Sequence, residues 1–257
     1  MIYFRKSIEF IYLNRLENIL FKILLITSFI IYHVNSLKVL VQNEDELIES
    51  LNTISTDSLI IDIGNTEIEL SEDLIINNNK KSITINGLSR ELSILNFKNI
   101  TNGFFFENTV KEVNFFNLTI NGYLKFKHNQ VIFENADING SLDLLSEGEE
   151  VPNNESFKMN NVNFNAISND DLYQNNDLYC IRLNGNVIIS NSKFTGNSFC
   201  KRNIIFYTGQ NINSLTITHS YFDGDYSTAI IKIEYSKKAA ISFSTFTRGA
   251  SIYKEGG

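Results

Sequence analysis

A short sequence phrase recurs four times between residues 161 and 246, and each copy ends in phenylalanine. The copies are NVNF (161–164), ISNSKF (189–194), ITHSYF (217–222) and ISFSTF (241–246). Their last residues, Phe164, Phe194, Phe222 and Phe246, are 30, 28 and 24 residues apart. A period of roughly 20–50 residues indicates a stacked repeat architecture with one supersecondary unit in each repeat. This spacing constrains the fold more than any other feature of the chain.

Each repeat also contains a second apolar strand. Examples are LYCIRLNG (178–185), IIFYTG (204–209) and AIIKIEY (229–235), and similar short runs broken by Asn, Gly, Ser and Asp begin at Leu59. A β-sandwich has many short strands too, but it gives no reason for one phrase to recur at this spacing. A propeller period of about 40 or more is too long. Stacked coils place repeated Phe and Ile in internal ladders, so we predict an all-β parallel β-helix over residues 59–257.

Residues 37–58 are predicted to form a short strand (38–42) and an amphipathic helix. Asn43 can cap the helix, and Glu46 stands three residues later, as in a capping box. Apolar residues then recur at the spacing of one helix face. They are Leu47, Ile48, Leu51 and Ile54. We expect this helix to cover the open end of the stacked strands.

Residues 1–36 have the order of a secretory signal. Four basic residues precede or border the apolar run Ile23–Val34, and Val34-Asn35-Ser36 resembles a cleavage site. This run of twelve residues, almost wholly apolar, is within the signal range and short of the roughly 18 that span a bilayer. The long basic stretch leaves an uncleaved membrane anchor as the alternative. Secretion, with no membrane insertion after signal removal, is the expectation.

Two further features agree with export. Sequons for N-linked glycosylation occur at Asn99, Asn117, Asn139 and Asn154. The two cysteines, Cys180 and Cys200, form an even number, as an oxidising compartment allows. Aligning residues 183–185 with 207–209 puts Cys180 level with Ile204, with Cys200 four residues earlier. A disulfide and two separate thiols both remain open at this point.

Composition excludes one class of partner. The chain has a net charge of −7 and no Lys/Arg run with interleaved aromatic residues, so we expect no nucleic-acid ligand. Its 36 Asn among 257 residues indicate either many tight turns or a codon bias.

The repeat resembles the right-handed parallel β-helix superfamily, which includes pectate lyases and many large microbial surface proteins. The resemblance covers residues 37–257 and rests on the three phrases ISNSKF, ITHSYF and ISFSTF, on KSITINGLS (81–89) and on the N-terminal helix. It implies a pectin-lyase-like scaffold that enzymes and non-enzymes share, and it identifies no specific enzyme family.

Candidate chemical groups are few. Asp223 and Asp225 flank a glycine at a predicted turn, and a second acidic patch contains Asp170, Asp171 and Asp177. Carboxylates at turns can bind Ca²⁺, but Asp is also a common turn residue. Arg182 and Arg248 are expected to lie away from any carboxylate cluster. We therefore assign no catalytic, cofactor-binding or metal-binding residue.

His128 and His219 each stand apart from other candidate catalytic groups. His219 occupies the place that Asn191 has in the neighbouring repeat, which indicates a ladder substitution and not a catalytic base.

The last repeat begins at Ser251 and stops at Gly257 without a visible cap. This suggests a C-terminally truncated β-helix whose open edge can self-associate. Two functional hypotheses remain. One is a non-catalytic secreted or cell-surface scaffold that binds carbohydrate or another surface ligand. The other is an incomplete or degenerate polysaccharide lyase or hydrolase. An acidic and basic groove formed by neighbouring coils would favour the second.

Overall fold

The computed structural model describes residues 22, 36–53, 56–127, 129–145, 156–167, 179–198, 200 and 203–250. The chain divides into two compact units, residues 1–37 and 38–257. The second unit contains one helix and almost all of the strands among the described residues. The predicted signal segment, residues 1–36, lies almost wholly outside the described residues.

Short strands follow one another along the second unit, and one helix, α1 (Glu44–Thr53), precedes most of them. The strands are β1 (Ser36–Val41), β2 (Ser58–Ile63), β3 (Thr66–Leu70), β4 (Leu74–Ile76), β5 (Ser82–Asn86), β6 (Ser93–Phe97), β7 (Gly103–Phe106), β8 (Glu112–Phe116), β9 (Thr119–Lys127), β10 (Gln130–Leu145), β11 (Ser156–Ala166), β12 (Tyr179–Asn184), β13 (Asn186–Ser190), β14 (Lys193–Thr195), β15 (Asn203–Thr208), β16 (Ser214–Thr218), β17 (Tyr221–Asp223), β18 (Ala229–Glu234), β19 (Lys238–Ser242) and β20 (Thr245–Thr247).

These strands form three parallel sheets around one core. The first sheet runs through β2, β5, β8, β10, β11, β13, β16 and β19. The second runs through β3, β6, β9, β10, β11, β14, β17 and β20. The third runs through β4, β7, β9, β10, β12, β15 and β18. Successive strands of one sheet are one coil apart in sequence, which confirms the predicted parallel β-helix.

Side chains that alternate inward fill the core, because successive residues of a strand point to opposite faces of the sheet. The predicted phenylalanine ladder is confirmed, since the register pairs Phe164 with Phe194, Phe194 with Phe222 and Phe222 with Phe246. The rings of Phe194 and Phe222 stack with centroids 4.7 Å apart and planes within 6°. Stacked equivalents of this kind keep one coil in register with the next.

Helix α1 lies over the first coil, as the sequence predicted. Leu47 and Leu51 are buried in the common core. The Asn43 side chain accepts a hydrogen bond from the Glu46 backbone N–H at 2.9 Å, as an N-cap does. The Glu46 carboxylate accepts from the Gln42 N–H at 2.8 Å. A capping box would use the N–H of the N-cap residue, Asn43, so the bond is displaced by one residue. Ile54 lies outside the described residues.

Candidate functional site

Two columns of asparagine run along the outside of the coils. In the first, the amides of Asn96, Asn121, Asn139 and Asn165 are joined by side-chain hydrogen bonds of 3.2, 2.7 and 2.8 Å. In the second, Asn86, Asn117, Asn135 and Asn161 are joined by bonds of 3.4, 3.2 and 2.7 Å. Two sequon residues, Asn117 and Asn139, are therefore rungs of hydrogen-bonded ladders.

The turn between the first and second sheets uses one left-handed residue in each of six coils. These residues are Asn117, Asn135, Asn161, Asn191, His219 and Phe243, all with φ between 50° and 56°. Asn adopts this conformation more readily than other non-glycine residues. The register of β13 on β16 places His219 level with Asn191, which confirms the predicted ladder substitution. Phe243 departs from this preference for Asn, because a bulky residue at positive φ is a genuine outlier.

Phe243 lines a shallow groove on the last three coils. Its side chain is 82% exposed, and its ring stacks on the His219 imidazole with centroids 4.9 Å apart. The groove has a volume of about 480 Å³. Its wall includes Asn191, Lys193, His219, Tyr221, Phe243 and Thr245. It thus combines an exposed aromatic platform with several hydrogen-bonding side chains.

A polar cluster lies on the outer face of the third sheet. The Arg182 guanidinium donates two hydrogen bonds to the Asp143 carboxylate, of which the Nε bond is 2.6 Å. The Tyr123 hydroxyl donates a third. Burial, followed by the nearby Asp143 charge, raises the pKa of Tyr123, so its phenol stays protonated as a donor. The Asp143 side chain is only 11% exposed.

Arg248 makes a second cluster with Asp223 and Asp225. Its Nε donates to Asp223 at 2.7 Å, and its Nη1 lies 3.1 Å from the Asp225 carboxylate. Hydrogen bonding from Arg248 lowers the pKa of Asp223. Asp223 and Asp225, the first pair of carboxylates that could bind Ca²⁺ at a turn, therefore both face a guanidinium. The Tyr226 ring lies 5.5 Å from the same guanidinium.

The expectation that Arg248 lies away from any carboxylate cluster is wrong, because it meets both Asp223 and Asp225. Arg182 meets the single carboxylate of Asp143. Arg182 and Asp143 are 39 residues apart, and Arg248 and Asp223 are 25 apart, so stacked coils bring each pair together. Acidic and basic side chains of neighbouring coils thus meet at both arginines, as they also do in the Lys81–Asp57 and Lys98–Glu69 pairs. Because each arginine binds its carboxylate through two nitrogens, both carboxylates are engaged as ion pairs.

Cys180 and Cys200 form a disulfide with a Cα–Cα distance of 5.2 Å. The register pairs Ile181 with Ile205 and Leu183 with Tyr207, in agreement with the sequence alignment of these coils. Both cysteines are buried in the core. The bridge therefore links the third sheet to the turn that precedes β15.

The other predicted groups vary in position. Asn99 is exposed in the turn after β6. Asn154, His128 and the patch of Asp170, Asp171 and Asp177 lie outside the described residues. Within the described ranges, no group of three His, Cys, Asp or Glu side chains is placed to hold a metal ion. The described part of the chain also has no helix with the length and hydropathy to cross a membrane.

Sequence reasoning missed the groove around Phe243, although a signal was present. Aligning ITHSYF with ISFSTF places Phe243 at the position of His219 and Asn191. That alignment shows the substitution, but only the turn conformation identifies the position as one that suits Asn. Comparison with protein-family models, with curated proteins and with solved structures finds no match to this chain.

Proposed function

We propose that this protein is a secreted, non-catalytic β-helix module that binds carbohydrate in the groove around Phe243. The observation that carries the proposal is a large aromatic side chain held at φ 51° and exposed to solvent, where other coils have asparagine or histidine. Backbone strain of this kind persists where the surrounding structure maintains it, and it is concentrated at functional sites.

The chemistry of the groove suits a sugar. The apolar face of a pyranose ring packs against an aromatic ring, while its hydroxyls exchange hydrogen bonds with polar side chains. Phe243 and Tyr221 provide aromatic surface, and Asn191, Lys193 and Thr245 provide donors and acceptors. Lys193 forms no salt bridge with another described residue. A shallow groove on the outside of a solenoid also leaves room for a long polysaccharide to continue past the site.

A pectin-lyase-like enzyme is the second candidate, and the Tyr123–Asp143–Arg182 cluster is the observation that favours it. Here an acid, a cation and a phenol from three coils converge on one sheet face. The bidentate ion pair argues against general-base chemistry, because both Asp143 oxygens already accept hydrogen bonds from Arg182 or Tyr123. We therefore favour the binding module.

Binding to a glycan array, followed by calorimetric titration of the best-bound oligosaccharide, tests the proposal. Phe243→Asn replaces the aromatic ring with the residue that four other coils have at the same left-handed turn position, so the fold is expected to survive. We expect at least about tenfold weaker binding, or ~1.4 kcal/mol.

Tyr235→Asn is the matched control for Phe243→Asn. Tyr235 is also left-handed, with φ 50°, and 66% exposed, but it lies at another corner of the coil. Its replacement should leave binding unchanged. Absence of any glycan binding, or equal losses in the two variants, would refute the site. Release of unsaturated products from polygalacturonate by the same preparation would favour the enzyme instead.

A further inference from the structure

We infer that the groove between helix α1 and strand β4 binds an extended segment of a partner protein, rich in lysine or arginine, which adds to the open edge of β4 as a further strand. This groove belongs to the first coil, whereas the groove around Phe243 belongs to the last three coils. The inference therefore goes beyond the proposed function and does not depend on it.

Strand β4 is an open edge of the third sheet. Its only strand partner among the described residues is β7. The Ile76 carbonyl accepts from the Glu107 N–H at 2.9 Å on the β7 side. Backbone groups of successive residues in a strand point to opposite sides, so the N–H and carbonyl of Ile75 point to the open side. An extended peptide can pair with such an edge and lengthen the sheet by one strand.

Apolar side chains of α1 and β4 line the groove beside this edge. The groove has a volume of about 440 Å³. Its lining includes the buried Leu51 and Ile76, the partly buried Ile48, and Ile75, whose side chain is 59% exposed. In an added strand, backbone hydrogen bonds provide affinity, and pockets for alternate side chains provide specificity. The groove supplies both an unpaired backbone edge and apolar surface.

The charge of the groove selects a cationic partner. Its described lining contains four carboxylates and no lysine or arginine, the acids being Glu44, Asp45, Glu72 and Asp73. Glu44 and Asp73 accept hydrogen bonds from backbone N–H groups of the first two coils. Asp45 and Glu72 are exposed, and neither has a hydrogen bond or ion pair within the described part of the chain. A cleft lined by charges of one sign attracts ligands of the opposite sign. The complementary segment therefore alternates basic and apolar residues.

Fluorescence anisotropy of labelled peptides, titrated with the full chain, tests the inference. The probe is the hexapeptide KVKVKV, in which valine favours an extended strand and lysine provides positive charge. One control peptide is EVEVEV, which has the opposite charge. The other is KVKVKV with N-methyl groups on its interior backbone nitrogens, which cannot donate to β4. We expect KVKVKV to bind at least tenfold more tightly than either control, and added salt to weaken its binding.

Two pairs of variants locate the binding site. Glu72→Lys reverses a charge of the groove, and Ile75→Lys places a cation at the open edge. Each should weaken KVKVKV binding at least fivefold. Glu91→Lys, at an exposed glutamate of another turn, is the control with the same net charge as Glu72→Lys. Ile188→Lys, on the outer face of the first sheet, is the control for Ile75→Lys.

Equal affinity for the three peptides, or equal losses in the groove variants and their controls, would overturn the inference. Absence of KVKVKV binding would overturn it as well. Self-association that Ile75→Lys abolishes, in a chain that does not bind KVKVKV, would identify a second copy of the protein as the occupant of the groove. None of these outcomes bears on glycan binding at Phe243.

Discussion

At the residue scale, most of the distinctive contacts join side chains that one turn of the solenoid brings together. The Arg182–Asp143 pair is the most enclosed of the ion pairs described, with side chains 28% and 11% exposed. The Lys38–Asp62 pair, in contrast, has its lysine side chain 63% exposed. Water screens an exposed pair, but it does not compensate an enclosed charge that has lost its partner.

The enclosed pair leads to a stability prediction. Arg182→Met removes the guanidinium and leaves the Asp143 carboxylate enclosed with only the Tyr123 donor described. We expect a loss of about 3 kcal/mol, and recovery of most of it when Asp143→Leu is added. Midpoints of urea unfolding provide the measurement. Lys38→Met is the control for an exposed pair and should shift the midpoint little. No recovery in the double variant would show that the arginine acts through packing.

At the element scale, helix α1 is attached to the first coil by specific polar contacts as well as by apolar burial. The Glu44 carboxylate accepts from the Ser71 N–H at 2.6 Å and from the Ser71 hydroxyl at 2.7 Å. The backbone hydrogen bond, followed by the hydroxyl, lowers the pKa of Glu44 below its ordinary value of 4.5. These bonds join residues 27 positions apart and fix the helix over the end of the coil.

The lowered pKa predicts a pH dependence for the helix contact. A carboxyl whose pKa falls on folding stabilises the fold above its unfolded pKa, and that contribution is lost as pH falls through the folded value. Glu44→Gln should therefore cost up to about 1 kcal/mol at neutral pH, less any solvent screening. The difference from wild type should shrink as pH falls below about 4.5 and vanish only below the lowered pKa of the folded protein. Midpoints of urea unfolding for the variant and the wild type, taken from neutral pH to below pH 4.5, measure this difference. Asp45→Asn, in the same helix turn, is the control, and an equal loss there would contradict the Ser71 contact.

At the scale of the whole molecule, the last described coil differs from the seven before it. Ile241 and Phe246 occupy core positions, yet they are 44% and 40% exposed. Their register partners one coil earlier, Ile217 and Phe222, are fully buried. Strands β18–β20 thus expose apolar side chains at one end of the stack, and no other described strand pairs with their outer edge. A strand edge of this kind is a template for pairing with another chain.

We expect a second copy of the protein to pair at this end. Sedimentation velocity over a range of concentrations should show reversible self-association. Ile241→Lys places a charge on the end face and should weaken association by about tenfold or more. Ile188→Lys is the matched control, because Ile188 is similarly exposed, at 49%, but lies on the side of the stack. A monomer at all concentrations, or equal effects of the two lysines, would contradict the prediction.

The repeat in the sequence was sufficient to predict the architecture. Equivalent residues of a solenoid occupy equivalent environments, so the spacing of Phe164, Phe194, Phe222 and Phe246 carried the coil length and the register together. Helix α1 could be predicted equally well, because its N-cap residue Asn43 and its apolar face are local signals. Local pattern and periodicity are the information that a single sequence holds most directly.

Only the tertiary structure decided which polar residues meet. Coils differ in length, so the contact between Arg182 and Asp143 depends on the turns between them and has no fixed sequence spacing. The same holds for the sequons, because the motif at Asn139 does not reveal its hydrogen bonds to Asn121 and Asn165 in neighbouring coils. The aromatic groove required a backbone angle as well as an alignment. Side chains are brought together by the stacking of coils, and their chemistry is therefore set at long range.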